Sequence, residues 1–112
     1  MKLVLAIIQP TKLVAVREAL EKIAVTRMTI GDVQDYVNLD QEDEFLDGPG
    51  RRPPLLRKVV LEIFVNDDFL ERTLEVIANV ARTDDIGDGS IFVMPAAEAI
   101  RINDRVKGPE AV

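Results

Sequence analysis

The sequence predicts an α+β sandwich in which two β-α-β halves combine to set two helices against one face of a four-stranded sheet. Three observations carry this reading. Short apolar runs alternate with stretches whose apolar residues recur at helical spacing, in the order strand, helix, strand, long loop, strand, helix, strand. The length, 112 residues, is enough for one core and a single domain over 1–112. The chain is 47% hydrophobic, too apolar for disorder, yet has no apolar run near the ~20 residues that span a bilayer.

The first element, Leu3 to Ile8, is apolar at every position, as a short strand covered on both faces would be. The start MKLVLAIIQP resembles a signal peptide only briefly. Its apolar stretch is short and no small-residue cleavage site follows, so a buried strand and the cytoplasm are expected. Pro10 ends the strand, and Thr11 reads as the N-cap of a helix over Leu13–Ile23. Leu13, Val16, Leu20 and Ile23 share its inner face, and Arg17 can pair with Glu21 on the outer one. Met28 to Val37 reads as a second strand with Met28 and Ile30 inward and a bulge near Gly31 that brings Val33 to the same side.

Residues 38–54 hold five acidic residues, two glycines and three prolines, so they are expected to form a long excursion from the core. The clearest strand is Arg57 to Val65, with Val59, Leu61, Ile63 and Val65 on one face and Lys58, Val60, Glu62 and Phe64 on the other. Asn66 or Asp67 caps a second helix whose inner set is Phe69, Leu70, Thr73, Leu74, Ile77 and Ala81. A turn-rich loop leads to a short strand at Ile91–Met94, stopped by Pro95. Ala96 to Ile102 is expected to add a short helical turn and an edge strand, followed by a tail over 103–112. This order is the ferredoxin-like βαββαβ sandwich. Its uncovered sheet face keeps apolar character through Ile7, Val60 and Phe64, which argues for an oligomer contact.

Composition removes many chemistries. The chain has no cysteine, histidine or tryptophan and a single tyrosine, Tyr36. Thiolate and histidine-based catalysis and zinc sites built on those ligands are therefore excluded, and few aromatic platforms remain for stacking bases. The net charge is −6, from 14 basic and 20 acidic residues, which argues against bulk nucleic-acid binding.

Three constellations remain. Gly87-Asp88-Gly89 can bring consecutive amides close to an anion, or can simply be a tight turn before a strand. Lys58 and Glu62 lie four apart on one strand face, suited to a phosphate and an amino group, or else are solvated sheet-edge charges. Arg101 has the same two readings. The acidic set Asp40, Glu42, Asp43, Glu44 and Asp47 lacks the spacing of a calcium loop, and no metal site is assigned. Arg51 and Arg52 are candidates for docking an acidic partner.

The order of these pieces resembles the PII family of trimeric signal-transduction proteins from Met1 to Ile102. The resemblance rests on Gln9-Pro10-Thr11-Lys12-Leu13, Val16-Arg17-Glu18-Ala19-Leu20, Met28-Thr29, Lys58 with Glu62, Asp67-Asp68, Ile86-Gly87-Asp88-Gly89 with Ile91-Phe92-Val93, and Ile100-Arg101-Ile102. It implies three ferredoxin-like subunits around a central sheet barrel, with ATP or ADP in the cleft between neighbours. The long loop 38–54 would then act on a transporter or a metabolic enzyme. It further implies that Ile7, Thr29, Glu62 and Phe64 line the base and ribose end, with Lys58, Gly87, Asp88, Gly89 and Arg101 at the phosphates.

Departures from the family pattern bear on the ligand. Asp35 and Val37 stand where the family has glycines, and Leu39 replaces the glutamine that helps fix Mg²⁺ and 2-oxoglutarate. Asp84-Asp85 replaces Gly-Lys, Ser90 replaces a phosphate-binding lysine and Asn103 replaces a second arginine. Each change removes a donor or adds a carboxylate near the expected phosphates, which disfavours ATP with Mg²⁺ and 2-oxoglutarate. ADP, AMP or another small anion stays open. Arg51 occupies the place of the nucleotidylated tyrosine, so that modification is excluded there. The implied function is a non-enzymatic regulator of a transporter or enzyme. The alternatives are an adaptor with a vestigial pocket, or a slow Mg²⁺-dependent ATPase with Asp88 or Glu62 as base.

Overall fold

A computed structural model describes residues 1–36, 55–84 and 87–112. Four strands, β1 (Lys2–Ile8), β2 (Thr29–Tyr36), β3 (Leu55–Val65) and β4 (Gly89–Pro95), form one antiparallel sheet in the order β2-β3-β1-β4. Helices α1 (Leu13–Lys22) and α2 (Asp67–Ala81) cover one face. This is the ferredoxin-like sandwich that the sequence predicts. The expected loop 38–54, with Arg51, Arg52, Leu39 and the acidic set, lies outside the described residues, as do Val37 and Asp85.

Strand pleat decides what is buried. Val4, Ala6 and Ile8 of β1 and Val59, Leu61, Ile63 and Val65 of β3 point at the helices and are almost wholly buried. They meet Val16 and Leu20 of α1 and Ile77 and Ala81 of α2. Leu13 and Ile23 flank that core, as the helical spacing requires. The opposite face is only half covered within one chain: β1 alternates between buried and half-buried residues, instead of being buried throughout.

The start of α1 differs from expectation, whereas α2 keeps Asn66 as its N-cap residue but without a capping side-chain bond. Pro10, with its fixed φ, opens a 3₁₀ turn over Pro10–Lys12 that runs into α1. Thr11 is therefore inside the turn and caps nothing, while Lys12 holds the N-cap position of α1 without a side-chain bond. Asn66 has the extended backbone of an N-cap, but its side-chain amide donates to the Pro109 carbonyl at 3.2 Å. Arg17 and Glu21 form no ion pair among the described residues.

Helix α1 ends in a paired hydrogen-bond motif. The Ala24 amide donates to Glu21 and the Val25 amide to Leu20, each at 3.0 Å, with Ala24 at φ 66° in the left-handed region that glycine favours. Buried Val25 and Leu20 supply the apolar contact that accompanies this motif.

Strand β2 has no bulge. Its register with β3 runs unbroken from Thr29 opposite Glu62 to Tyr36 opposite Leu55. Gly31 instead faces a close neighbour: a Cβ there would lie 3.2 Å from the Val60 side chain directly across the ladder, which would have to give by a few tenths of an ångström. Val33 thus shares the face of Gly31 and Lys58, away from the helices. The C-terminal segment also departs from expectation. Residues 96–99 form no helical turn, and the edge strand reduces to a single bridge between Ile100 and Lys107, followed by a 3₁₀ turn over Gly108–Ala111.

Candidate functional site

The open sheet face arranges the expected residues in rows. Opposed residues in an antiparallel ladder project on the same side. Phe92, Leu5, Glu62 and Thr29 therefore form one row, and Ser90, Ile7, Val60 and Gly31 the next. Lys58 and Val33 come after them. Glu62 and Lys58 are about 13 Å apart along β3 by strand rise. Ile7 lies in the row between them.

Lys58 is not a solvated edge charge. It stands on a central strand, is only 5% exposed, and its ammonium donates to the Gly87 carbonyl. The loop before β4 covers it. That loop is fixed through Asp88, whose carboxylate accepts from Gln9 Nε2 at 3.0 Å, from the Thr83 amide at 2.6 Å and from the Thr83 hydroxyl. Gly89 completes the arrangement at φ 107°, where a Cβ would fall 1.8 Å from the Ile7 carbonyl oxygen. Ile7, Lys58, Gly87, Asp88 and Gly89 are thus brought together, with Gln9 and Thr83 as partners that motif reading missed. Gln9 follows a strand and Thr83 precedes two acidic residues, so neither carries a spacing signal.

Thr29, Glu62 and Phe64 form a second group. They line a cavity of about 240 Å³ with Arg27, Met28, Ala111 and Val112. A smaller neighbouring cavity of about 150 Å³ shares Arg27, Phe64 and Val112 with it. The tail reaches this place because Pro109 is held by Asn66, and the Val112 amide closes a turn on the Pro109 carbonyl at 3.3 Å. A third cavity, about 330 Å³, lies behind the glycine loop between β1, β4 and α2, lined by Ile8, Ile77, Ala81 and Ser90 among others.

Arg101 lies in the C-terminal segment and lines none of the cavities described above. Its guanidinium is engaged by Asp104, and its backbone amide donates to Val106 at 2.8 Å. The Arg101 guanidinium holds the Asp104 carboxyl down at about 2, helped by the Val106 amide. Asp84, at φ 64°, accepts from Arg82 at 2.6 Å, so part of its charge is compensated locally. The described residues contain no cluster of three or more acidic, histidine or cysteine side chains that could hold a metal, and no helix long and apolar enough to cross a membrane.

Comparison with known proteins gives one result. Residues 1–106 match the family model described as nitrogen regulatory protein P-II. The chain is similar to nitrogen regulatory protein GlnK1 of Methanosarcina mazei, 41% identical over all of this chain and 97% of that one. It is also similar to nitrogen regulatory protein P-II of Cereibacter sphaeroides, 38% identical over the whole of both chains. The crystal structure of Arabidopsis thaliana PII bound to citrate superposes with a TM-score of 0.81 at 32% identity, covering 99% of this chain and 91% of that one. The paired β-α-β halves, the buried lysine under a glycine loop and the match over residues 1–106 converge: the chain belongs to the P-II family of nitrogen regulatory proteins, which are regulators and not enzymes.

Proposed function

We propose that the chain works in the cytoplasm as a homotrimeric P-II regulator. It takes an adenine nucleotide or another small anion in the cleft between copies and acts on a transporter or metabolic enzyme through residues 38–54. The observation that carries this is the line of residues along the open face. Phe64, Glu62 and Thr29 surround a cavity at one end, and Lys58 is held under Gly87 at the other. A carboxylate and a hydroxyl suit the polar edge of a base, and a cation about 13 Å along the strand suits a phosphate. Arg101, whose guanidinium is engaged by Asp104, would add a further cation to that cleft. The bound citrate named for the Arabidopsis relative supports a small polyanion as ligand class.

Asp84, Ser90 and Asn103 favour ADP or AMP over ATP, because they withdraw donors where the terminal phosphate would lie. A second reading, an adaptor with a vestigial pocket, is favoured by Ala111 and Val112, which line the cavity that a base would enter. Calorimetry against ATP, ADP, AMP, citrate and 2-oxoglutarate, with and without Mg²⁺, separates the two. Saturable binding of any adenine nucleotide that is lost in Lys58→Met supports the sensor. Absence of binding by every compound at millimolar concentration refutes it and leaves the adaptor.

A further inference from the structure

The C-terminal hairpin contains its own anion. Arg101 Nε donates to Asp104 Oδ1 at 3.0 Å and to Oδ2 at 3.2 Å, and Nη2 donates to Oδ2 at 2.7 Å. The carboxylate is built into the turn and does not merely lie beside it. Its Oδ1 accepts the Val106 amide at 3.1 Å, Arg101 and Val106 close the hairpin at 2.8 Å, and Arg105 takes φ 59° to make the bend. The Ile100–Lys107 bridge fixes both arms.

A guanidinium presents a planar fork that fits a carboxylate and a phosphate in the same bidentate way. An anion that takes Arg101 must therefore displace Asp104 or share the fork with its charge. We propose that Asp104 is a specificity-determining residue: an internal anion that occupies Arg101 and sets the chain's discrimination against polyphosphate groups. The ligand class concerned is the pyrophosphate moiety of a nucleotide, and the inference rests on the reading of Arg101 as the phosphate-side cation. The more negative the incoming group, the more it is repelled by an Asp104 that stays in place. The penalty is therefore larger for a triphosphate than for a monophosphate.

The probe is inorganic pyrophosphate, titrated into the full-length ¹⁵N-labelled protein while the Arg101 Nε–H resonance is followed. Asp104→Asn removes the charge but keeps an acceptor for Val106, and a retained nuclear Overhauser contact between the Arg101 and Val106 backbones verifies the hairpin. The apparent affinity is expected to rise about three- to tenfold, from loss of a competing exposed pair and of one nearby charge. The gain should shrink in high salt. Asp104→Glu, which keeps the charge, should bind as the unmodified chain does. Equal midpoints in the unmodified and Asn proteins, or an Arg101 signal that pyrophosphate leaves unmoved in the Asn variant, overturn the proposal. So does a Glu variant as responsive as the Asn one, because loosening of the turn would then be the cause. ADP is titrated in parallel. If it binds the Asn variant no tighter than pyrophosphate, the nucleotide reading fails while the competition at Arg101 stands.

Discussion

Gly89→Ala should be among the most damaging single-methyl additions available in the sheet. At φ 107° the backbone is in a region that an L side chain enters only at a cost of roughly 1–2 kcal/mol. The new Cβ would also lie 1.8 Å from the Ile7 carbonyl oxygen, where real contacts stay beyond 3.0 Å. Ile7 cannot retreat alone, because β1 is a central strand laddered to Val60 on one side and Ser90 on the other. Relief requires β4 to shift, and overpacking of this kind costs a further ~1–3 kcal/mol. The expected loss is about 2–5 kcal/mol, or roughly 8–20 °C in Tm for a domain near this size.

Gly108→Ala is the matched control. Gly108 is also at positive φ, 76°, but a Cβ there meets nothing within 4 Å, so only the backbone cost of ~1–2 kcal/mol applies. Urea unfolding of both variants at one fixed protomer concentration isolates the steric part, since any assembly makes the midpoint depend on concentration. A Gly89→Ala protein no less stable than Gly108→Ala would refute the close approach of the glycine loop to β1.

Three further outcomes are expected. Ala24→Gly relieves the left-handed position after α1 and should stabilise by about 1 kcal/mol, read as a higher urea midpoint; an unchanged or lower midpoint would contradict the assigned helix end. Phe64→Asp together with Phe92→Asp places charges at two apolar positions that are 48% and 52% exposed on the open face, and the mass in solution should fall from about three chains to one; a variant that remains trimeric in light scattering would place the contact elsewhere. Asp104 is lowered from 3.8 to about 2 by Arg101, so its contribution to the hairpin is fully present above about pH 4 and fades as pH falls through about 2. The Val106 amide resonance should report that loss in the acid range and stay constant from pH 5 to 8.

Elements whose burial follows a period were legible from the sequence, and elements fixed by remote polar contacts were not. The inner faces of α1 and of β3 follow from spacing alone, because burial against one layer imposes the 3.6- and 2-residue repeats. Thr11 was misread because Pro10 pre-sets φ and starts the turn one residue too early for a threonine cap. Gly31 was read as a bulge because a strand glycine signals either a bulge or a close neighbour, and only the register shows Val60 across from it. The C-terminal segment carried no periodic signal at all. Its path depends on Asn66 holding Pro109 across 43 residues and on Asp104 holding Arg101. An Asp three residues after an Arg, followed by Gly-Pro, was the available hint of a closed hairpin.

The same division appears within the candidate site. Ile7 and Gly89 come together through the β1–β4 ladder, whereas Gly87 meets Lys58 through its carbonyl and Asp88 is held by Gln9 and Thr83, contacts that no spacing announces. The open face is also split across its width. The β4–β1 half carries Met94, Leu3, Phe92, Leu5 and Ile7 with Ser90, so it is largely apolar, while the β3–β2 half mixes Glu62, Thr29 and Lys58 with Phe64, Val60 and Val33. A face that served assembly alone would gain nothing from a buried ammonium, since desolvating a charge is costly unless it is paired. A face that served a ligand alone would have no reason to leave Phe92 half exposed beside Leu5. One half suited to another copy and one half suited to a polar ligand is the arrangement that an intersubunit cleft demands.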